Sequence, residues 1–193
     1  MTDEDIIEWS PNYTLKLTDF KKEFDDRESV IKGIGARQWV SAVMYTLEWD
    51  KKPSKDGKKF LISEIRLKPT FNRNRSFFDL KILQQEGVSQ RDIDFLLLHE
   101  QGHFDLLEEA REKFVREISS RVKGRVFSVR DSGSDDEDND VDNFLPPIFK
   151  EIVGGFEEIN TLYDEMTNHG QNEPVQIKFN ERFKALRQLR RRK

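Results

Sequence analysis

From Leu96 to Ile118 the apolar residues of this chain recur at helical spacing, and Leu96, Leu106, Leu107, Ala110, Phe114 and Ile118 share one face. His99 and His103 lie on that same face. A stripe of this width predicts a helix pressed against a core, where two imidazoles must find partners. Ser89 followed by Asp92 has capping-box spacing, and Gly124 is a stop, so the helix is expected from about 89 to about 123.

The two histidines belong to the pentapeptide HEQGH, residues 99–103. Residues four apart stand one above the other on a helix, so both imidazoles can address one ion. Glu100 then reaches a water on that ion without ligating it, and serves as general base. Gly102 removes bulk beside the site. A helix loses about 1 kcal/mol for Gly in place of Ala, so the residue points to a close approach by another segment. The chain has no cysteine, so a metal site here uses His and carboxylates, and Zn²⁺ is the expected ion. A catalytic zinc takes three protein ligands and an open position. Residues 106 and 109 are Leu and Glu, so a third histidine within the same helix is ruled out. His169 is the remaining imidazole and the expected third ligand; a carboxylate on the following helix, Glu157 or Glu158, is the alternative.

The rest of the chain divides in two. The region 12–80 is rich in β-signals: YTLKLTDF (13–20) and KKFLISEIRLKP (58–69) alternate, and QWVSAVMYTLEWD (38–50) is β-branched and aromatic. Pro and Gly in 51–59 predict a hairpin turn, 71–82 reads as a strand or irregular edge, and 24–36 as a short turn or helix. The region 88–190 reads as helical. A second helix is expected to start at Pro146–Pro147, with Phe149, Ile152, Phe156, Ile159, Tyr163 and Met166 as its stripe and a bend at Gly154–Gly155, and a third to span 175–190. The acidic stretch 130–143 carries almost no apolar residue and is expected to be a disordered loop. It lacks the glycine and glutamate positions of an EF-hand loop. The basic end, RQLRRRK, reads as a solvated helix terminus.

Two separated pieces, HEQGHFDLLEEAR and YDEMTNHGQNEPVQ, together resemble the domain of unknown function 922 family of predicted zinc-dependent proteases. The matching residues are HEQGHFD at 99–105, Tyr163–Asp164, Thr167, His169–Gly170 and Gln176, with Trp49 a less specific match. The resemblance implies a zincin-like metallopeptidase and leaves the substrate open. Within the second piece, Tyr163 is a candidate oxyanion donor or a core tyrosine, and Asp164 a candidate acceptor behind a ligand histidine. Asp105 is a weaker candidate for that last role, and Gln176 has no assigned one.

The expected fold is α+β: one domain over 1–193, a small, mostly antiparallel N-terminal sheet packed on a helical half. The expected function is zinc-dependent peptide hydrolysis with His99, His103 and His169 as ligands, Glu100 as base and Tyr163 assisting. A strand near 60–68 is expected to hold an extended peptide by its edge. A hydrolase of non-peptide amides or esters, and a structural zinc domain acting through protein contacts, are the alternatives. The partner is a peptide or protein substrate. A net charge of −4 argues against nucleic acid, and FLLL at 95–98 is too short to span a bilayer. The acidic N-terminus has no leader pattern, so a cytoplasmic location is expected. Oligomeric state stays open.

Overall fold

The computed structural model describes residues 5–23, 39–40, 42–128 and 139–192. Its strands are β1 (Ile6–Glu8), β2 (Trp39–Val40), β3 (Val43–Pro53), β4 (Lys59–Asn72), β5 (Phe77–Phe78) and β6 (Val126–Ser128). Its helices are α1 (Leu80–Gln85), α2 (Gln90–Val122), α3 (Asn139–Thr167) and α4 (Glu173–Arg190). The fold is α+β, as the sequence predicts. No helix among the described residues is long and apolar enough to cross a membrane.

The chain divides into two compact units. The first comprises Met1–Met44, Pro69–Glu109 and Asn160–Lys193, and the second Tyr45–Lys68 and Ala110–Ile159. In the first unit β1 runs antiparallel to the end of β4, with Ile6 opposite Asn72, and β2 pairs with β5. Phe71 and Phe104 are fully buried with ring centroids 6.1 Å apart, and Phe20 meets Phe71 edge-on at 5.2 Å. In the second unit β6 pairs with the start of β4, Phe60 opposite Phe127. Tyr45 there packs edge-on against Phe114 and Phe156. Each buried aromatic contributes roughly 1.5–3 kcal/mol relative to exposure, which holds such small sheets together.

The expected hairpin is present: β3 and β4 flank a turn whose Gly57 has φ +70°. β4 pairs with β3 along one side; along the other, β6 pairs with Lys59–Leu61 and β1 with Thr70–Asn72, so β6 covers Phe60 and Leu61 of the stretch 60–68 expected to hold a peptide. Residues 13–20 are not a strand either. Leu17–Asp19 form a 3₁₀ turn. The buried Asp19 accepts from the Lys16 amide and the Tyr13 hydroxyl, both at 2.8 Å, and pairs with Arg73 at 3.3 Å. Such local side-chain bonds outcompete a ladder. The region 71–82 becomes the end of β4, a 3₁₀ turn, β5 and the start of α1. The segment 24–36 lies outside the described residues.

α2 starts and stops where expected. The Ser89 hydroxyl donates to Asp92 at 2.6 Å and accepts from the Asp92 amide at 3.2 Å, and Gly124 has φ +74° just beyond the end. α3 begins at Asn139, before the two prolines rather than at them. A proline inside a helix costs about 3 kcal/mol. Burial of Val141 and Leu145, each worth roughly 1.5–3 kcal/mol, offsets this. Thus 139–143 are helical, and 130–138 lie outside the described residues. Met166 is exposed, and Thr167 takes the buried place one turn after Tyr163.

Candidate metal centre

The centre lies within the first unit, on α2, the end of α3, and α4. His99, Glu100 and His103 are buried at 1%, 3% and 6% exposure, and one ligand atom from each lies within 4.8 Å of the others. Their helix is tied down on both sides of the pentapeptide. Gln101 accepts from the Leu15 amide at 2.7 Å. Asp105 accepts from Trp9 Nε1 at 2.7 Å and from the Arg187 guanidinium at 2.7 Å.

The imidazoles are oriented from behind. Gln176, fully buried on α4, donates through Nε2 to the Tyr163 hydroxyl at 2.7 Å and to Asn180 Oδ1 at 2.9 Å. Its Oε1 is therefore an acceptor, and His99 Nδ1–H donates to it at 3.0 Å. His103 Nδ1–H donates to Asn160 Oδ1 at 2.6 Å. Both protons being on Nδ1, the Nε2 atoms carry bare lone pairs.

Those lone pairs converge. The two Nε2 atoms are 3.2 Å apart, and Asp164 Oδ1 is 3.1 Å from each. Bonds of 2.0–2.1 Å to a tetrahedral zinc would place neighbouring ligand atoms about 3.3 Å apart. The triangle therefore has the dimensions of one face of such a site. A proton can relieve one of its edges; a divalent cation relieves all three. Without a metal the proton goes to His103. Burial opposes its charge, but the bond to Asp164 and the negative charges of Glu100 and Asp164 outweigh burial and hold its pKa above the ordinary 6.5. Burial also works to raise Asp164, yet its bonds to His103 and His99 keep it well below the usual carboxylate range.

Asp164 thus faces the bare Nε2 atoms, not the distal nitrogens where the sequence reading put it; Gln176 and Asn160 occupy those. His169 stands at the rim, its side chain 52% exposed and its Nδ1 3.7 Å from Asp164 Oδ1. It follows the end of α3 in the left-handed region, φ 52°, after Asn168 at 48°. Glu157 and Glu158, the carboxylate alternatives, are exposed residues of the second unit and take no part in this cluster.

Tyr163 is a support, not an oxyanion donor. Its hydroxyl is buried and donates to the His99 carbonyl at 3.2 Å, while its ring stacks on His99 at 4.8 Å and meets His103 edge-on at 5.0 Å. Burial pushes its hydroxyl pKa far above the ordinary value. Gly102 is the close approach expected: a Cβ there would land on the Tyr163 hydroxyl. Asp105 does not reach a histidine; it anchors Trp9, Gln101 and Arg187. The basic end of the chain is solvated only in part: Gln188, Leu189, Arg191 and Arg192 are exposed, whereas two arginines turn inward. The Arg187 and Arg190 side chains are nearly buried, and Arg190 pairs with Glu108 at 2.6 Å.

Of the polar supports, Asn160 has no reading in the sequence, and Thr167 enters there only as a match to the family, with no role. A signal was there: Asn160, Tyr163, Asp164 and Thr167 fall at i, i+3, i+4 and i+7, a polar stripe on one helix face. Thr167 bonds back to the Tyr163 carbonyl at 2.7 Å and lies 3.4 Å from His99 Nδ1.

No family model, curated protein or solved structure matches the chain.

Proposed function

We propose that this chain is a zinc-dependent peptide hydrolase in which His99, His103 and Asp164 hold the ion and Glu100 is the general base. The observation that carries the reading is the convergence of two bare imidazole nitrogens and one carboxylate oxygen at 3.1–3.2 Å. Two buried imidazole acceptors and a half-buried carboxylate turned on one another are costly unless a cation lies between them. The resemblance to the domain of unknown function 922 family agrees with the reading without carrying it.

When bound, zinc lowers the pKa of a water on it to about 7 and polarises the carbonyl to be attacked. The protein supplies the rest. Glu100 follows His99 directly, and its carboxylate lies within 4.8 Å of both imidazoles. It takes the proton of the attacking water and returns it to the leaving nitrogen. That second transfer suits an amide, whose nitrogen must be protonated to leave. Gln176 and Asn160 keep both imidazoles in one tautomer, and Tyr163 holds their planes. Asp164, 19% exposed, and His169 mark the side open to substrate.

The test is Glu100→Gln, nearly isosteric with the wild type. General-base catalysis contributes about 10²–10⁴ in rate. Cleavage of denatured casein or of an unbiased peptide library should fall by that order at unchanged zinc content. Equal cleavage by both proteins, or a wild type that carries zinc and cleaves nothing, would overturn the reading.

A further inference from the structure

A cavity of about 510 Å³ opens beside the metal centre, between the start of α2 and the turn joining α3 to α4. Its size falls in the range of ligand pockets, roughly 300–1,000 Å³. Leu83, Val88, Phe95 and Leu96 form its apolar part. Leu83 and Leu96 belong to a buried cluster with Ile93, so this floor is preformed. Gly170 lines the cavity as well. A Cβ on Gly170 would come within 3.0 Å of His99 Cβ and 3.6 Å of its Nδ1, so the cavity wall touches the side chain of a proposed ligand on the edge away from its Nε2. Phe95 and Leu96 lie about one helical turn before His99.

The rim is acidic. Glu86, Asp92 and Glu173 line it with Arg91, and Arg91 is engaged by Glu173 at 2.6 Å. An acidic group entering here meets net negative charge over an apolar floor. Consecutive residues of an extended peptide advance about 3.3–3.6 Å. A cavity whose wall touches His99 is therefore within reach of a side chain one or two residues from the bond under attack.

The geometry points to this cavity as a specificity pocket that takes a large uncharged apolar side chain of the substrate, one or two residues from the cleaved bond. Its place in a cleavage reaction rests on the hydrolase reading above; its selectivity for apolar over acidic groups does not.

The experiment reads binding and cleavage separately. N-acetyl-phenylalanine amide and N-acetyl-glutamate amide are titrated into ¹⁵N-labelled full-length protein, with and without zinc, and amide shifts are followed. The phenylalanine probe should move the amides of Gly87, Gly170 and Gln171, and the glutamate probe should bind at least about tenfold more weakly. Val88→Trp fills the cavity and should weaken the phenylalanine probe by about tenfold or more. Should that variant misfold by circular dichroism, Phe95→Ala, on a half-buried residue, should still weaken it severalfold. Cleavage sites in a peptide library should place Phe, Leu or Met at one of the two positions flanking the bond, with Val88→Trp shifting that position to small residues. Shifts elsewhere, equal affinity for the two probes, or unchanged binding by a folded variant would overturn the pocket. Probe binding intact in a protein that cleaves nothing would instead remove the hydrolase reading and keep the pocket.

Discussion

The carboxylate of Asp164 faces the bare Nε2 of His99 at 3.1 Å across 65 positions of chain. An acceptor aimed at an acceptor is an arrangement that folding alone does not favour. It is the observation on which the proposal of Asp164 on α3, rather than His169 in the turn after it, as third ligand rests.

Asp164→Ala should therefore abolish tight zinc binding, while His169→Ala should leave about one zinc per chain. Competition against a chromophoric chelator measures both. Zinc lost from His169→Ala and retained by Asp164→Ala would restore the histidine as ligand and reduce Asp164 to a neighbour.

The residues behind the imidazoles should matter less than the ligands but measurably. Removing an outer partner of a metal-bound histidine commonly costs 10–100-fold in affinity. Gln176→Ala and Asn160→Ala should each fall in that range, Gln176→Ala also releasing the Tyr163 hydroxyl to which it donates at 2.7 Å. Unchanged affinity in both would mean that packing, not hydrogen bonding, sets the ring orientation.

Gly102→Ala offers a test by sign. In an open helix the exchange stabilises by about 1 kcal/mol. Here the new methyl group meets the Tyr163 hydroxyl, and overpacking of this kind typically costs 1–3 kcal/mol. Chemical denaturation should show a net loss, smaller in a Tyr163→Phe background where the obstructing oxygen is gone. A gain in stability would mean that Tyr163 does not sit where it is described.

In the metal-free protein the raised pKa of His103 has a pH signature. A folded value above the unfolded one adds stability that is fully present below the ordinary 6.5 and is lost as pH rises through the folded value. With chelator present, melting temperature should decline through that window, and Asp164→Asn, which removes a main cause of the shift, should flatten the decline. Zinc competes with the same proton, so the rise in melting temperature that it produces should grow with pH. A zinc effect constant across the window would count against His103 as a ligand.

How far the sequence reached depended on whether a feature was local. α2 was readable from end to end because its stripe, its Ser89 cap and its Gly124 stop all lie in one continuous stretch of sequence. His99, Glu100 and His103 follow from that helix alone. Asp164 was placed near the histidines but behind them, because the rotation of α3 against α2 is set by packing that no spacing encodes. Preference for an imidazole over a carboxylate then favoured His169. The turn at 13–20 was misread because its alternation looks like a strand, whereas Asp19 spends its carboxylate on the local backbone. The α3 start was misread because burial of Val141 and Leu145 overrides two prolines. The basic end hid a match that spacing does contain: Asp105 and Glu108 are three apart on α2, as Arg187 and Arg190 are on α4.

That match gives the last prediction. Arg187 donates to Asp105 through Nε and Nη2 and to the Tyr13 carbonyl at 2.6 Å, and Asp105 also holds the Trp9 indole. Burial nonetheless pushes the Asp105 carboxyl above its ordinary value, so the pair is expensive to keep charged. Removing one partner of a buried pair typically costs 3–5 kcal/mol because the other charge is stranded. Arg187→Met should lose about that much in denaturant unfolding, and Trp9 emission should change as its carboxylate partner shifts. Asp105→Asn added to Arg187→Met should recover most of the loss, since an amide oxygen still accepts from Trp9 and no charge is left unpaired. A double variant as unstable as Arg187→Met alone would mean that the arginine acts through its packing and its Tyr13 contact, not through its charge.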